Sequence, residues 1–166
     1  MIVTRVQAEA IDIAAEVAAL GQGRTDIGAI VSFAGHVRAD DGLTALTLEH
    51  YPAMTIRQMQ AIAGEAEARW PLLGGIAIHR HGRMVPGEAI VLVVVASAHR
   101  AAAFEAAAFL MDWLKTKAPF WKVEERGDSR TWVAARTSDD AAASRWESAA
   151  QGHFRQTDPG SFVRSR

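Results

Sequence analysis

No cysteine occurs among the 166 residues. Disulfides, thiolate metal sites, a cysteine nucleophile and a persulfide borne by this chain are therefore excluded. A surplus of positive charge is also lacking: 18 Lys and Arg stand against 19 Asp and Glu, for a net charge of −1. A general nucleic-acid binder carries a basic excess, so no nucleic-acid partner is expected. The longest apolar stretch, Ala89–Ala98, falls well short of the ~20 residues a membrane-spanning helix needs. The opening MIVTRVQAEAIDI carries an early Arg5 and acidic residues and lacks a signal-peptide layout. A cytoplasmic protein with no membrane partner is the expectation. Neither a repeat nor an internal linker divides the chain, and 49% hydrophobic residues can fill one core. A single domain over residues 1–149 is expected, followed by a polar, flexible tail over 150–166.

What is present reads as α+β. Ile2–Gln7 alternates like a strand, and Ile11–Leu20 has helical spacing with Asp12 near its start. The run Ile27–Ala34, IGAIVSFA, is apolar throughout and bounded by glycines, which predicts a buried strand. Leu43–His50 alternates as a half-buried strand, and Thr55–Trp70 is helical up to Pro71. Ile76–His81 and Glu88–Ser97 read as strands joined by a loop with Pro86-Gly87; the β-branched run IVLVVVAS predicts a central strand. Arg100–Lys117 is a long helix. Trp121–Arg126 and Thr131–Arg136 flank Gly127-Asp128 as a hairpin. Adjacent strands mixed with helices predict a largely antiparallel sheet.

The chemistry concentrates around MDWLKTKAPFWK, residues 111–122, where Lys115, Lys117 and Lys122 surround an aromatic patch. On a helix, Phe104, Ala108, Met111 and Lys115 stack along one face. Lys115 then ends an apolar stripe. A lysine held against apolar groups loses solvation, and a neutral amine able to act as base or nucleophile becomes accessible. The alternative is a snorkelling lysine whose cation suits the helix C-terminus.

At the other end of that helix, Ser97 can cap, and His99-Arg100 fall in or beside the first turn. Free N–H groups there already attract anions, and two cations beside them make a plausible phosphate pocket. The alternative is an arginine simply exposed to water. Arg38 leaves a strand end after Gly35-His36-Val37, either facing a ligand or solvated. His50, His79, His81 and His153 show no ligand spacing, so no metal site is expected. Gly21-Gln22-Gly23 is not a phosphate-loop motif, and no Ser–His–Asp arrangement has local support. The residues by themselves describe a cationic pocket for an anionic ligand.

Seven segments taken in order carry a resemblance. They are GRTDIGAIVSFAGHVR (23–38), ALTLEHYPAMT (45–55), ARWPL (68–72), HRHGRMVPGE (79–88), VASAHRAAAFEA (95–106), MDWLKTKAPFWK (111–122) and WVAARTSD (132–139). Together, over residues 2–146, the chain resembles the catalytic, large subunit of molybdopterin synthase. The resemblance implies an α/β hammerhead fold with a dimer-forming sheet. It implies insertion of two sulfurs into cyclic pyranopterin monophosphate, giving the dithiolene of molybdopterin. The sulfur would come from the C-terminal thiocarboxylate of a small ubiquitin-like partner, whose Gly-Gly tail enters the large subunit's pocket. Two large and two small subunits would form an elongated heterotetramer, with no cofactor called for.

The resemblance also implies roles. Lys115 and Lys122 match the outer lysines of the family's KT-x-APFWK motif and would be catalytic. Lys115 would meet the partner's terminal carbonyl, and Lys122 would offset developing negative charge. Arg38, His99 and Arg100 would hold the pterin and its cyclic phosphate, with His36, Val37, Val123 and Glu124 completing the substrate-binding set. Arg136 would reach the pocket from the second large subunit. Lys117 has no matching role. The chain departs from the family at His36, where lysine is frequent, at Ala53, where glycine is frequent, and in the short loop Ala39–Leu43. Two rival readings are a lysine-dependent transferase acting on another phosphate-bearing substrate and a non-catalytic module that docks a ubiquitin-like tail.

Overall fold

The computed structural model describes residues 1–133 and Trp146; Arg136 and the expected tail at 150–166 lie outside the described residues. The described strands are β1 (Ile2–Gln7), β2 (Ala29–His36), β3 (Ala45–His50), β4 (Leu72–Arg80), β5 (Gly82–Met84), β6 (Ala89–Ser97), β7 (Phe120–Arg126) and β8 (Ser129–Val133). The helices are α1 (Ile13–Gly21), α2 (Pro52–Arg69) and α3 (Arg100–Lys117), and a 3₁₀ turn spans Asp40–Gly42.

The local signals act as their chemistry requires. The Asp12 carboxylate accepts from the Ala15 N–H at 2.9 Å and caps α1. Pro52 opens α2, three residues before the expected start, because proline suits a first helical position. Trp70, before Pro71, is extended and ends it. At Gly127, φ of +54° makes the turn between β7 and β8.

The strands form two four-stranded sheets, ordered β1-β4-β6-β2 and β5-β3-β7-β8. Every pairing but the parallel β1–β4 is antiparallel. The first sheet is covered on both faces. Ala77, Val91, Val93 and Val95 pack with Met59, Ile62 and Ala66 of α2 and Phe109, Leu110 and Trp113 of α3. The alternate residues Ile76, Ile78, Leu92 and Val94 pack with Ile13, Val17 and Leu20 of α1. Strands covered on both faces lose hydrophobic alternation, which explains the continuous β6 run. Trp146 closes one edge of this core: its ring lies 5.6 Å from Phe109, and its indole N–H donates to Asp112 at 2.8 Å. The second sheet has its own cluster of Val37, Leu46, Leu48 and Met84, with Phe120 packed against it.

Three expectations are corrected. The apolar run Ile27–Ala34 is not a buried strand: β2 is the edge of its sheet, leaving Ile30 37% and Phe33 44% exposed. The apolar face of α3 is not the Phe104–Lys115 stripe. Phe104 is exposed, and the buried side consists of Ala102, Ala103, Ala106, Phe109, Leu110, Trp113 and Leu114. The many alanines of α3 blurred the phase of the pattern, since alanine occupies both faces. Ser97 does not cap α3 from the N-cap position, which is His99. Its buried hydroxyl instead donates to the Pro71 carbonyl at 2.9 Å and accepts from the His99 N–H at 3.3 Å.

Candidate active site

The sharp connection from α3 to β7 builds the centre of the site. The helix ends at Lys117, and the Phe120 N–H donates to the Ala118 carbonyl at 2.9 Å around Pro119. The buried Thr55 hydroxyl of α2 reaches the Pro119 carbonyl at 3.5 Å. This short bend places Lys115, in the last turn of α3, and Lys122, on β7, at either side of one corner. Lys115 is exposed in the chain rather than packed under the apolar stripe. Lys117 lies over the Trp113 ring, its ammonium 5.0 Å from the ring centre.

Strand β7 carries alternating roles. Lys122 and Glu124 point to one face, opposite Leu48 and Leu46 of β3, and their charged groups come within 3.6 Å. Glu124 also receives Arg126 at 2.7 Å, so one carboxylate holds two cations. Val123 points the other way and is buried, opposite Thr47 and Trp132.

The strand β2 delivers the next group. A register shift between Gly35 and His36 breaks its pairing with β6. Val37 then turns inward: its side chain is buried against Leu46 and Leu48, its N–H donates to the Glu88 carbonyl at 2.9 Å, and its carbonyl accepts from Gly87 at 2.8 Å. With Val37 anchored, His36 and Arg38 on either side are exposed, and Arg38 pairs with Asp40 at 2.8 Å. The Glu88 carboxyl is held below its usual range, first by the Val85 N–H at 2.7 Å and further by Arg80, so this supporting loop is itself tied down.

His99 and Arg100 are brought to the start of α3, both exposed. That start is pinned to β2. The Gly28 N–H donates to the Ser97 carbonyl at 3.1 Å, and a Cβ at Gly28 would lie 2.2 Å from the Ala98 carbonyl oxygen. Fifteen residues of helix separate Arg100 from Lys115, about 22 Å along the axis. Because α3 doubles back along β6, Lys115 lies at the end of the sheet where β2 finishes at His36, and Arg100 lies at the opposite end. Within one chain, then, the structure gathers Lys115, Lys122, Glu124 and residues 36–38 toward one end. It does not bring His99 and Arg100 there.

An aromatic cluster beside the bend escaped the sequence reading. The His79 ring lies 3.8 Å from Phe120 and nearly parallel to it; His50 lies 5.8 Å from Phe120 and 4.6 Å from His81. Burial pushes His79 down to about 4, against the opposing pull of its contact with the Arg80 carbonyl. Burial, then the nearby His81, lowers His50 as well. The available signal was that LTLEH ends its strand in His50 and that IHRHG places His79 and His81 on either side of the last residue of β4, Arg80. Tyr51 packs edge-on to Trp121 at 5.2 Å on the outer side. Among the described residues no group of three His, Asp or Glu side chains could hold a metal ion, and no helix is long and apolar enough to cross a membrane.

Fold and site together define a subunit with two lysines at the corner of a helix and a strand, and comparison with known proteins gives that class its family. Residues 6–117 match the family model described as MoaE protein. The molybdopterin synthase catalytic subunit of Mesorhizobium japonicum is 57% identical over 150 residues, covering 89% of this chain and 94% of the relative. That of Rhizobium meliloti is 53% identical over 148 residues, covering 87% and 96%. The solved structure of the molybdopterin biosynthesis MoaE protein from Burkholderia ambifaria superposes with a TM-score of 0.77 at 46% identity, covering 89% of this chain and 99% of that one. The chain belongs to the MoaE family of molybdopterin synthase catalytic subunits, enzymes of molybdenum-cofactor biosynthesis. The α+β arrangement with largely antiparallel pairing expected from the order of elements is the fold observed, with its strands divided between two sheets, and the solved MoaE structure shares it.

Proposed function

We propose that Lys115 and Lys122 are the catalytic pair for sulfur transfer from a small ubiquitin-like subunit's C-terminal thiocarboxylate to cyclic pyranopterin monophosphate. The observation that carries this reading is the α3–β7 corner, which holds both lysines beside a bend tied down by Thr55 and Phe120. In each transfer the thiocarboxylate sulfur bonds to a substrate carbon as one carbon–oxygen bond at that carbon breaks, the displaced oxygen leaving with the opened phosphate or, once protonated, as water. Water then cleaves the acyl–sulfur bond, leaving sulfur on the substrate and a carboxylate on the partner; two rounds give the dithiolene. Lys115, exposed at the corner, meets the partner's terminal carbonyl as base or positioned amine. Lys122 offsets negative charge on the tetrahedral intermediate, with Glu124 setting its direction. The partner's Gly-Gly tail suits such a corner, because glycine lets a backbone approach closely.

Arg38 binds the anionic substrate from the same end, exchanging Asp40 for phosphate oxygens. His99 and Arg100 stand about 22 Å away in their own chain. They serve a site completed by a second copy, in a homodimer that carries one small subunit at each distal end. Arg136 is assigned to the same cross-subunit role. The chain works in the cytoplasm, its catalytic domain extends over residues 1–149, and 150–166 take no part. The test mixes purified chain, thiocarboxylated partner and cyclic pyranopterin monophosphate and assays dithiolene. Absence of product with the intact chain, alongside a competent relative as control, sinks the reading.

A further inference from the structure

The histidine–phenylalanine cluster beside the corner has no part in the sulfur chemistry described so far. Phe120 is the first residue of β7, and its ring is gripped from two sides. His79 belongs to the first sheet, beyond Ala77 on the face covered by α2 and α3, and stacks on Phe120 at 3.8 Å with planes 19° apart. His50 ends β3 in the second sheet, pairs with Phe120 in register, and lies 5.8 Å from it at 28°. His81 backs His50 at 4.6 Å. Phe120 is thus a joint between the two sheets. Lys122 follows two residues later on the same face, since strand side chains alternate.

We propose that His50 is a positioning residue for Lys122: its ring, braced by His81 and working with His79, clamps Phe120 and thereby sets where the catalytic lysine stands. The inference rests on the reading of Lys122 as catalytic. The clamp uses the flat ring and not a hydrogen bond. The His50 Nδ1 atom is buried, and no hydrogen-bond partner reaches it among the described residues. Buried polar atoms normally have partners, so this ring serves as a packing plate in its neutral form. A proton on that nitrogen would find no acceptor and would face His81, so acid loosens the clamp. Burial already lowers both His50 and His79 in the same sense. The surrounding charges are otherwise engaged. Lys122 reaches Glu124, Arg80 turns to Glu88, Arg83 pairs with Glu125, and Lys117 lies on Trp113. Glu49 occupies the opposite face of β3, opposite Trp121.

The experiment measures steady-state sulfur transfer by the assembled enzyme with thiocarboxylated partner. His50→Ala should lower kcat about tenfold or more with KM changed less than about twofold, because the lysine is misplaced and the substrate contacts remain. His50→Phe, which keeps the plate and removes the proton site, should stay within about twofold of wild-type kcat at neutral pH and lose rate less steeply as the pH falls below the ordinary histidine range. Wild-type kcat in His50→Ala overturns the proposal. So does a His50→Phe as slow as His50→Ala, since the imidazole itself would then be required. Should His50→Ala fail to fold, NMR of the wild-type imidazoles decides. Ring-current-shifted His50 signals at pH 7.5 should collapse over the same acid range as the rate, and signals unmoved through that loss overturn the proposal. A Lys122→Ala control separates the two readings: near-normal turnover there refutes the catalytic lysine, whereas an inactive Lys122→Ala beside a normal His50→Ala refutes only the clamp.

Discussion

The ammonium of Lys122 lies 3.6 Å from the Glu124 carboxylate, which at the same time receives Arg126 at 2.7 Å. A cation that shares its carboxylate in this way is oriented but not neutralised. Lys122→Ala should therefore cut product formation by roughly 10²–10⁴-fold. Glu124→Gln should slow it by a smaller factor, about tenfold, while costing about 1 kcal/mol of stability, because Glu124 is largely covered but both cations it holds, Lys122 and Arg126, keep access to water. Rates from a dithiolene assay and urea midpoints for both variants check the two numbers. A Glu124→Gln enzyme at full rate would remove the orienting role.

Lys115 stands at the end of α3 with little of its side chain in the core. Lys115→Ala should leave the melting temperature and partner docking nearly unchanged, while activity falls by roughly 10²–10⁴-fold. A variant that turns over near the wild-type rate would exclude Lys115 from the chemistry.

Arg100→Ala should act on substrate binding. Calorimetry with cyclic pyranopterin monophosphate should show weakened affinity, and raising salt should weaken the wild type as its exposed charges are screened. The same arginine on a monomeric variant should have no effect, because its own Lys115 lies about 22 Å away. Unchanged affinity in the dimeric Arg100→Ala would move the anion site elsewhere.

The histidine pushed down to about 4, His79, makes stability depend on pH. An unfolded histidine titrates near 6.5, so between 6.5 and 4 the unfolded chain binds a proton that the folded chain refuses. Its contribution is complete above about pH 6.5, declines as the pH falls through that window, and levels off below 4. The full shift corresponds to about 3 kcal/mol, an upper limit because the residue is partly accessible to water. His79→Phe should flatten the acid branch of a stability curve measured by urea unfolding from pH 4.5 to 7. A parallel curve for wild type and variant would refute the assignment.

Gly28→Ala tests the pin between β2 and α3. The added Cβ would sit 2.2 Å from a backbone oxygen that has no flexible side chain to yield. A loss of about 1–3 kcal/mol is expected, the range for overpacking a tight contact. Wild-type thermal stability in Gly28→Ala would show that the Ala98 carbonyl can move aside.

Much of this molecule was legible in its sequence, for reasons that differ by element. Arg100–Lys117 was read to the residue, because an alanine-rich helix follows a polar Ala98–His99 connection and ends before Pro119. The central place of β6 followed from β-branched residues with no alternation. What failed depended on neighbours. IGAIVSFA looks buried, but nothing in a linear pattern tells which apolar strand becomes an edge. The short β5 hid in a loop because three residues, Gly82–Met84, are too few to show a period. At the candidate site, the approach of Lys115 and Lys122 to one bend was expected from the Pro119–Trp121 turn between them, whereas Arg38 was expected beside His99 and Arg100, which the fold sets at the other end of α3. The stack of His50, His79 and His81 on Phe120 could not be read from the sequence, since it joins two sheets through residues scattered over some seventy positions.

The open border of β2 has a practical meaning at the bench. Along Ala29–His36 one side of the backbone is unclaimed by any strand among the described residues, and Ile30 and Phe33 stand beside it in water. Such a border is a template on which another extended segment can align. Chain prepared in isolation and concentrated should therefore scatter more light with time than chain co-produced with its assembly partners. A charged residue at Phe33 should slow that rise in scattering, and an unchanged rise would clear this border of the effect.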